Sequence, residues 1–223
     1  MRTYCIIIKQ NFYYFLFESS DHSKHKGGFM KLSYFNIFFV LFFTLLLTHS
    51  TQAQQKENKP RPSLHATVSQ RIGIDTDIII DFSRPGVKGR KIFGELVPFG
   101  LEPGNKYSND KPYPWRGGAN ECTTIEFTKD VLVNGNKVPA GKYSLHFIPS
   151  EKEWVVIINK NNKLWGSYQY NQEEDALRIN VAPVKVPPTE WLTYGFDDLA
   201  GTSCTAFLQW DELRVPVKIE AVN

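Results

Sequence analysis

From about residue 64 onward, hydrophobic and polar residues alternate with a period of two, the spacing of a strand with one face buried. Ile78, Ile80 and Phe82 alternate with Asp77, Ile79 and Asp81, and Thr123, Ile125 and Phe127 with Thr124, Glu126 and Thr128. Tyr143, Leu145 and Phe147 share one face of a later strand, with Ser144, His146 and Ile148 on the other. Residues 66–72, 131–133, 177–182, 191–196, 203–210 and 213–219 complete the pattern, and 154–158 is apolar throughout, as expected of a strand covered on both faces. Asn134-Gly135 between two short apolar runs predicts a two-residue hairpin turn. Residues 172–176 are read as one helical turn, and no longer window carries a helical stripe. About ten short strands with turns between them predict an all-β chain, a single antiparallel β-sandwich over residues 64–223.

The pattern breaks in two places. Residues 84–116 form a long connection rich in Gly and Pro, and long connections in compact domains are often functional. The other break is at the start. Met30-Lys31, an apolar run over 32–47 and Thr51-Gln52-Ala53 read as a secretory signal peptide over 30–53, with cleavage after Ala53. The run is shorter than the roughly 20 apolar residues of a membrane anchor, so no stable membrane span is expected after cleavage. Residues 1–29 are then a start-site artefact or an extended n-region, and 54–63 a polar leader with two prolines. No Cys follows the apolar run closely, so the expectation is an exported protein, periplasmic or secreted, and not a lipoprotein.

Charge changes the picture once the leader is removed. The whole chain is +3, but residues 1–53 take with them five of the 26 cationic residues and two of the 23 acidic ones, leaving 21 of each. A nucleic-acid binder keeps a basic excess, so nucleic acid is not expected as a partner. Cys122 and Cys204 remain. Export permits a disulfide, but Cys204 shares a face with the inward Ala206, Leu208 and Trp210, and Cys122 with the outward Thr124 and Glu126. Parity therefore argues against a bridge. No spacing suggests a metal site or a cofactor.

Six ordered runs carry a family resemblance: residues 83–90, Leu96-Val97-Pro98, residues 115–120, residues 140–145, Trp165-Gly166 and residues 175–178. Together, over roughly Pro62 to Ile219, the chain resembles the bacterial domain of unknown function numbered 2911. The resemblance implies an exported bacterial protein with no assigned activity and no catalytic residues to carry over. Residues 101–114 stand where many relatives pass almost directly from Gly to the Trp-Arg pair, so the chain resembles a longer-loop subgroup.

Candidate chemistry clusters in the long connection. Arg84, Lys88 and Arg90 sit among glycines that leave backbone N–H groups open to a carboxylate or phosphate; alternatively, Arg84 and Arg90 pin the loop by pairing with Asp81 or Glu95. Trp115, Arg116 and Asn120 combine a stacking face, a planar donor fork and an amide, a set suited to a sugar or carboxylate ligand; alternatively, they pack the sandwich end. His146 is one of two His left after residue 53 and could line the site or act as a general base, with Ser144 nearby on its face. Trp165 in its loop is a candidate platform. Residues 173–175 and 197–198 are read as solvated acidic turns. The first functional expectation is a non-catalytic binding or interaction module for a small anionic or sugar-like ligand or an envelope protein partner. The alternatives are a hydrolase with His146 as base and Arg116 and Asn120 steadying negative charge, and a purely structural envelope protein.

Overall fold

The computed structural model describes residues 59–222; the segments read as 1–29, the signal peptide over 30–53 and most of the leader lie outside them. The described chain is all-β, with ten strands in two antiparallel sheets. The larger sheet takes β1 (Leu64–Ile72), β2 (Thr76–Arg84), β3 (Thr124–Phe127), β6 (Gly141–Ile148), β7 (Trp154–Asn159) and β8 (Asp175–Val181), hydrogen-bonded in that order. The smaller takes β5 (Asn136–Val138), β4 (Val131–Val133), β10 (Ser203–Ala221) and β9 (Val184–Ala200). Among the described residues one 3-10 turn occurs, at Gln172–Glu174, capped by the Asn171 side chain accepting from the Glu173 N–H; it covers the first part of the turn expected over 172–176, whose last two residues begin β8. Among the described residues no helix is long and apolar enough to cross a membrane.

The period-two residues meet between the sheets. Ile78, Ile80, Ile125, Phe127, Leu145, Phe147 and Trp154 face Leu192, Tyr194, Leu208, Trp210 and Val215 in one core. Packing leaves an apolar void of only about 30 Å³, the order of one water, as expected of interlocked side chains. Asn134 and Gly135 take φ of 45° and 80°, the left-handed pair that a type I′ hairpin demands, and Val133 is paired with Asn136 across it.

Two expectations are corrected. Residues 203–210 and 213–219 are one bent strand, not two. Asp211, at φ 53°, interrupts the register against β9, so the inward set passes from the even positions 204–210 to the odd positions 215 and 219. An irregularity of this kind bends a strand and shifts its facing residues without ending it. The larger sheet is covered on both faces at β7, as the apolar run 154–158 predicts, but the cover extends over the Ser144 and His146 face of β6, which was expected to line an open site. Residues 160–171 fold back over its outer side, burying Ser144, His146, Ile157 and Asn159 completely. Asn159 holds this strap through its amide, donating to the Asn171 carbonyl at 2.9 Å and to Asp175 Oδ1 at 2.8 Å. Asp175 therefore belongs to the strap's anchor rather than to a solvated turn: its other oxygen accepts from the Tyr170 hydroxyl at 2.7 Å.

Cys122 and Cys204, the cysteines among the described residues, are free and buried. Cys204 joins the core between the sheets, while Cys122 lies beneath the strap, its N–H directed at the Leu164 carbonyl.

Candidate functional site

The long connection folds into a cleft of about 380 Å³. One wall is the turn over residues 85–90, the other is the run 115–120, and Pro62 and Ser63 close one side. The turn is locked by backbone geometry. Lys88 and Gly89 take φ of 49° and 67°, and the Val87 and Lys88 N–H groups donate to the Glu190 carbonyl and to Glu190 Oε1 at 2.8 and 3.0 Å. Arg90 folds over its own turn, donating from Nε to the Val87 carbonyl at 3.0 Å and from Nη2 to the Gly86 carbonyl at 2.5 Å. Lys88 sends its ammonium to the Trp191 ring, 5.9 Å from the centroid.

Arg116 stands on the opposite wall. Its Nη1 donates to the Asn120 carbonyl at 2.7 Å and its Nη2 to the Tyr168 hydroxyl at 3.2 Å, with the guanidinium 5.1 Å above the Tyr168 ring. Gly166 makes room for it: a Cβ there would stand 2.7 Å from Arg116 Cζ. The Arg116 run is itself pinned to the sandwich. Tyr194 donates from its hydroxyl to the Gly117 carbonyl at 2.9 Å, and the Asn120 amide donates to the Ser63 carbonyl at 3.1 Å.

Five of the eight residues singled out in the sequence thus line one cleft: Lys88, Arg90, Trp115, Arg116 and Asn120. Trp115 reaches it only with an edge. The residue is 5% exposed, its ring stacks on Trp210 at 6.1 Å and 17°, and its backbone pairs with Phe147. It is the end of the aromatic core, not an open stacking face. Arg84 is elsewhere, its Nε donating to the Leu192 carbonyl at 2.9 Å beside a separate hollow with His65 and Trp191. The expected pairing of Arg84 and Arg90 with Asp81 and Glu95 is replaced by these carbonyl bonds: Asp81 meets His65 and Glu95 meets Lys91. Trp165 is 59% exposed and borders a third hollow with Cys122 and Lys142.

His146 lines no open surface. It is fully buried under the strap, with Nε2 at 2.9 Å from Ser144 Oγ and Nδ1 at 2.7 Å from Ser167 Oγ. A neutral ring donates to one hydroxyl and accepts from the other, so both nitrogens are satisfied. Burial, with Arg116 adding to it, holds its pKa down at about 3. Cys122 Sγ lies 3.8 Å from Nε2, and burial pushes that thiol up to about 12. The imidazole stands beside a hydroxyl, but no carboxylate orients it, as a hydrolytic triad would require.

Glu102 is the residue the sequence reading passed over. It is the one acid on the cleft wall. Burial raises its carboxyl above the ordinary range and Arg116 partly opposes the rise. Its backbone pairs with Tyr113 on both sides, N–H to carbonyl at 2.8 and 3.2 Å. A lone Glu in a Gly- and Pro-rich stretch has no periodic signal to reveal it.

The architecture is that of a two-sheet antiparallel sandwich carrying a loop-built, cation-rich cleft. Within that class the chain belongs to the family described as a protein of unknown function, DUF2911, whose model it matches over residues 63–219. No curated protein and no solved structure matches it.

Proposed function

We propose that the protein is an exported, non-catalytic binding module whose ligand is a small organic anion held in the cleft. The observation that carries this reading is how the cleft's cations are satisfied. Arg90 donates to two backbone carbonyls, Arg116 to a carbonyl and a phenol, and Lys88 rests on an indole ring. Such partners orient a guanidinium or ammonium without neutralising it, so the positive charge stays available to a ligand. Glu102, and Glu190 at the turn, offset only part of it. A neutral sugar fits less well, because Trp115 and Trp210 keep their faces in the core.

A thermal-shift series tests the reading. Carboxylates, phosphates and sulfates are compared with neutral sugars, on the wild type and on Arg116→Gln. A ligand at about 100 times its Kd stabilises the fold by about 2.7 kcal/mol. An organic anion that raises Tm in the wild type and not in R116Q supports the cleft. No response to any anion, with R116Q merely less stable, favours the structural role instead. The hydrolase reading has less support, since His146 lies under the strap with both ring nitrogens occupied. Export rests on the apolar segment over 30–53. N-terminal sequencing of the protein from its native cell tests it: a chain beginning at Gln54 supports export, and one beginning at Met1 or Met30 counts against cleavage.

A further inference from the structure

We propose that the anion taken by the cleft is an α-amino dicarboxylate, a molecule with two carboxylates flanking one ammonium. The proposal rests on the anion-binding reading above and adds to it the role of Glu102. Three cationic side chains and a single carboxylate line the cleft, and a ligand complementary to that set carries more than one negative group and one positive group.

Glu102 carries the argument. Its side chain makes no hydrogen bond and no ion pair with any described residue, although it is half-buried. Arg116 is near enough to favour its charged form, yet the Arg116 donors go to Asn120 and Tyr168 instead. A partly desolvated carboxylate with no protein donor relies on water in the open cleft, at some cost. A ligand anion docked on Arg116 would add a second negative charge beside it. An ammonium on the ligand removes both penalties: it donates to Glu102 and separates the two carboxylates. A hydroxyl donates as well but leaves the two negative charges facing one another.

The cations stand on two different segments of the lining. Arg90 and Lys88 belong to the turn over residues 85–90 and Arg116 to the run over 115–120, with Glu102 on a third segment. Two anionic groups on one small molecule match this division. The lining also includes Leu96, Val97 and the edges of Trp115 and Trp210, apolar surface for the methylenes that join the two carboxylates. The cleft of about 380 Å³ holds a molecule of this size with bridging water.

Titration calorimetry with four probes tests the assignment: glutamate, glutarate, 2-hydroxyglutarate and 4-aminobutyrate, each on the wild-type protein, on Glu102→Gln and on Arg116→Gln. Glutarate lacks the ammonium, 2-hydroxyglutarate replaces it with a hydroxyl, and 4-aminobutyrate lacks the second carboxylate. Glutamate is expected to bind the wild type about tenfold or more tightly than any of the others. E102Q should remove the advantage over glutarate, and R116Q should weaken all three dicarboxylates. Glutarate or 2-hydroxyglutarate binding as tightly as glutamate overturns the amino-acid assignment and leaves the anion cleft standing. Failure of every probe on the wild type overturns the assignment; whether the anion reading falls too is decided by the wider anion series. The comparison on the wild type alone decides the matter if E102Q does not fold.

Discussion

Acidification should destabilise this protein through one residue, His146. The ring is fully buried and held neutral, with its pKa depressed from the ordinary 6.5 to about 3. The unfolded chain therefore binds a proton between those two values that the native chain refuses. The contribution is fully present above about pH 6.5 and is lost progressively as pH falls toward 3. Linkage gives about 2.5 kcal/mol lost between pH 7 and pH 4.5, and about 5 kcal/mol in total. In a domain of this size the first figure lowers Tm by roughly 5–10 °C. Other groups titrate in the same window: Glu102 and Asp211, raised by burial, act in the opposite sense, and Asp77 and Asp130, lowered by their partners, add to the loss further down. The assay must therefore be differential. Urea unfolding of wild type and of His146→Gln at pH 7, 6, 5 and 4.5 subtracts every group the two proteins share. The variant should start less stable, and the gap should narrow by about 2.5 kcal/mol on acidification. A gap constant to within about 0.5 kcal/mol, the scatter expected of independent sites, refutes a buried neutral imidazole and with it the description of the strap.

Three further outcomes follow from the packing. Gly166→Val places a side chain against the Arg116 guanidinium at a φ of 68° and should cost about 1–3 kcal/mol while removing anion-dependent stabilisation, both readable in one thermal-shift series. Trp115→Ala opens the Trp210 and Trp154 cluster and should cost about 3–5 kcal/mol by denaturant unfolding; a loss below about 1 kcal/mol would place the ring outside the core. Cys122 and Cys204, with thiols raised by burial to about 12 and about 11, should resist alkylation in the native protein. Both should react together on unfolding without reductant, and peptide mapping that finds them linked would contradict the parity of the strands.

Local alternation made the sandwich legible. Ile78, Ile80, Ile125, Leu145 and Leu208 declare their face within a few residues of sequence, and Asn134-Gly135 declares its turn. Asp211 deceived because a Trp-Asp-Glu-Leu run reads as the end of one strand and the start of another. The physical event is one left-handed residue that changes which face looks inward. His146 was legible as a residue of interest but not as a buried one, since the strap that covers it has no periodicity and is recruited by Asn159 and Asp175 through their side chains. Trp115 and Trp165 are the same residue type in similar glycine-rich surroundings. What separates them is the presence of Trp210, almost a hundred positions further on, and no local pattern carries that information. The basic turn was found, while Glu102 was missed because its significance lies in a donor it lacks.

The 19-residue strand β10 sets the order in which this chain can be completed. Its first half is the partner of β9, its last residues are the partner of β4, and its inward side chains share one core with those of the larger sheet. Every strand of the larger sheet lies before it in sequence, so that sheet can hydrogen-bond while its apolar inner face is still open. β4 and β5 meanwhile have only each other and wait for a neighbour more than eighty residues downstream. A chain emerging from the ribosome cannot close this core until β10 is free, and pairings across such separations are slow and leave apolar surface exposed in the interval. Loss of even the last few residues would leave the β4–β5 hairpin without its seam. β10 is thus the clasp of this fold.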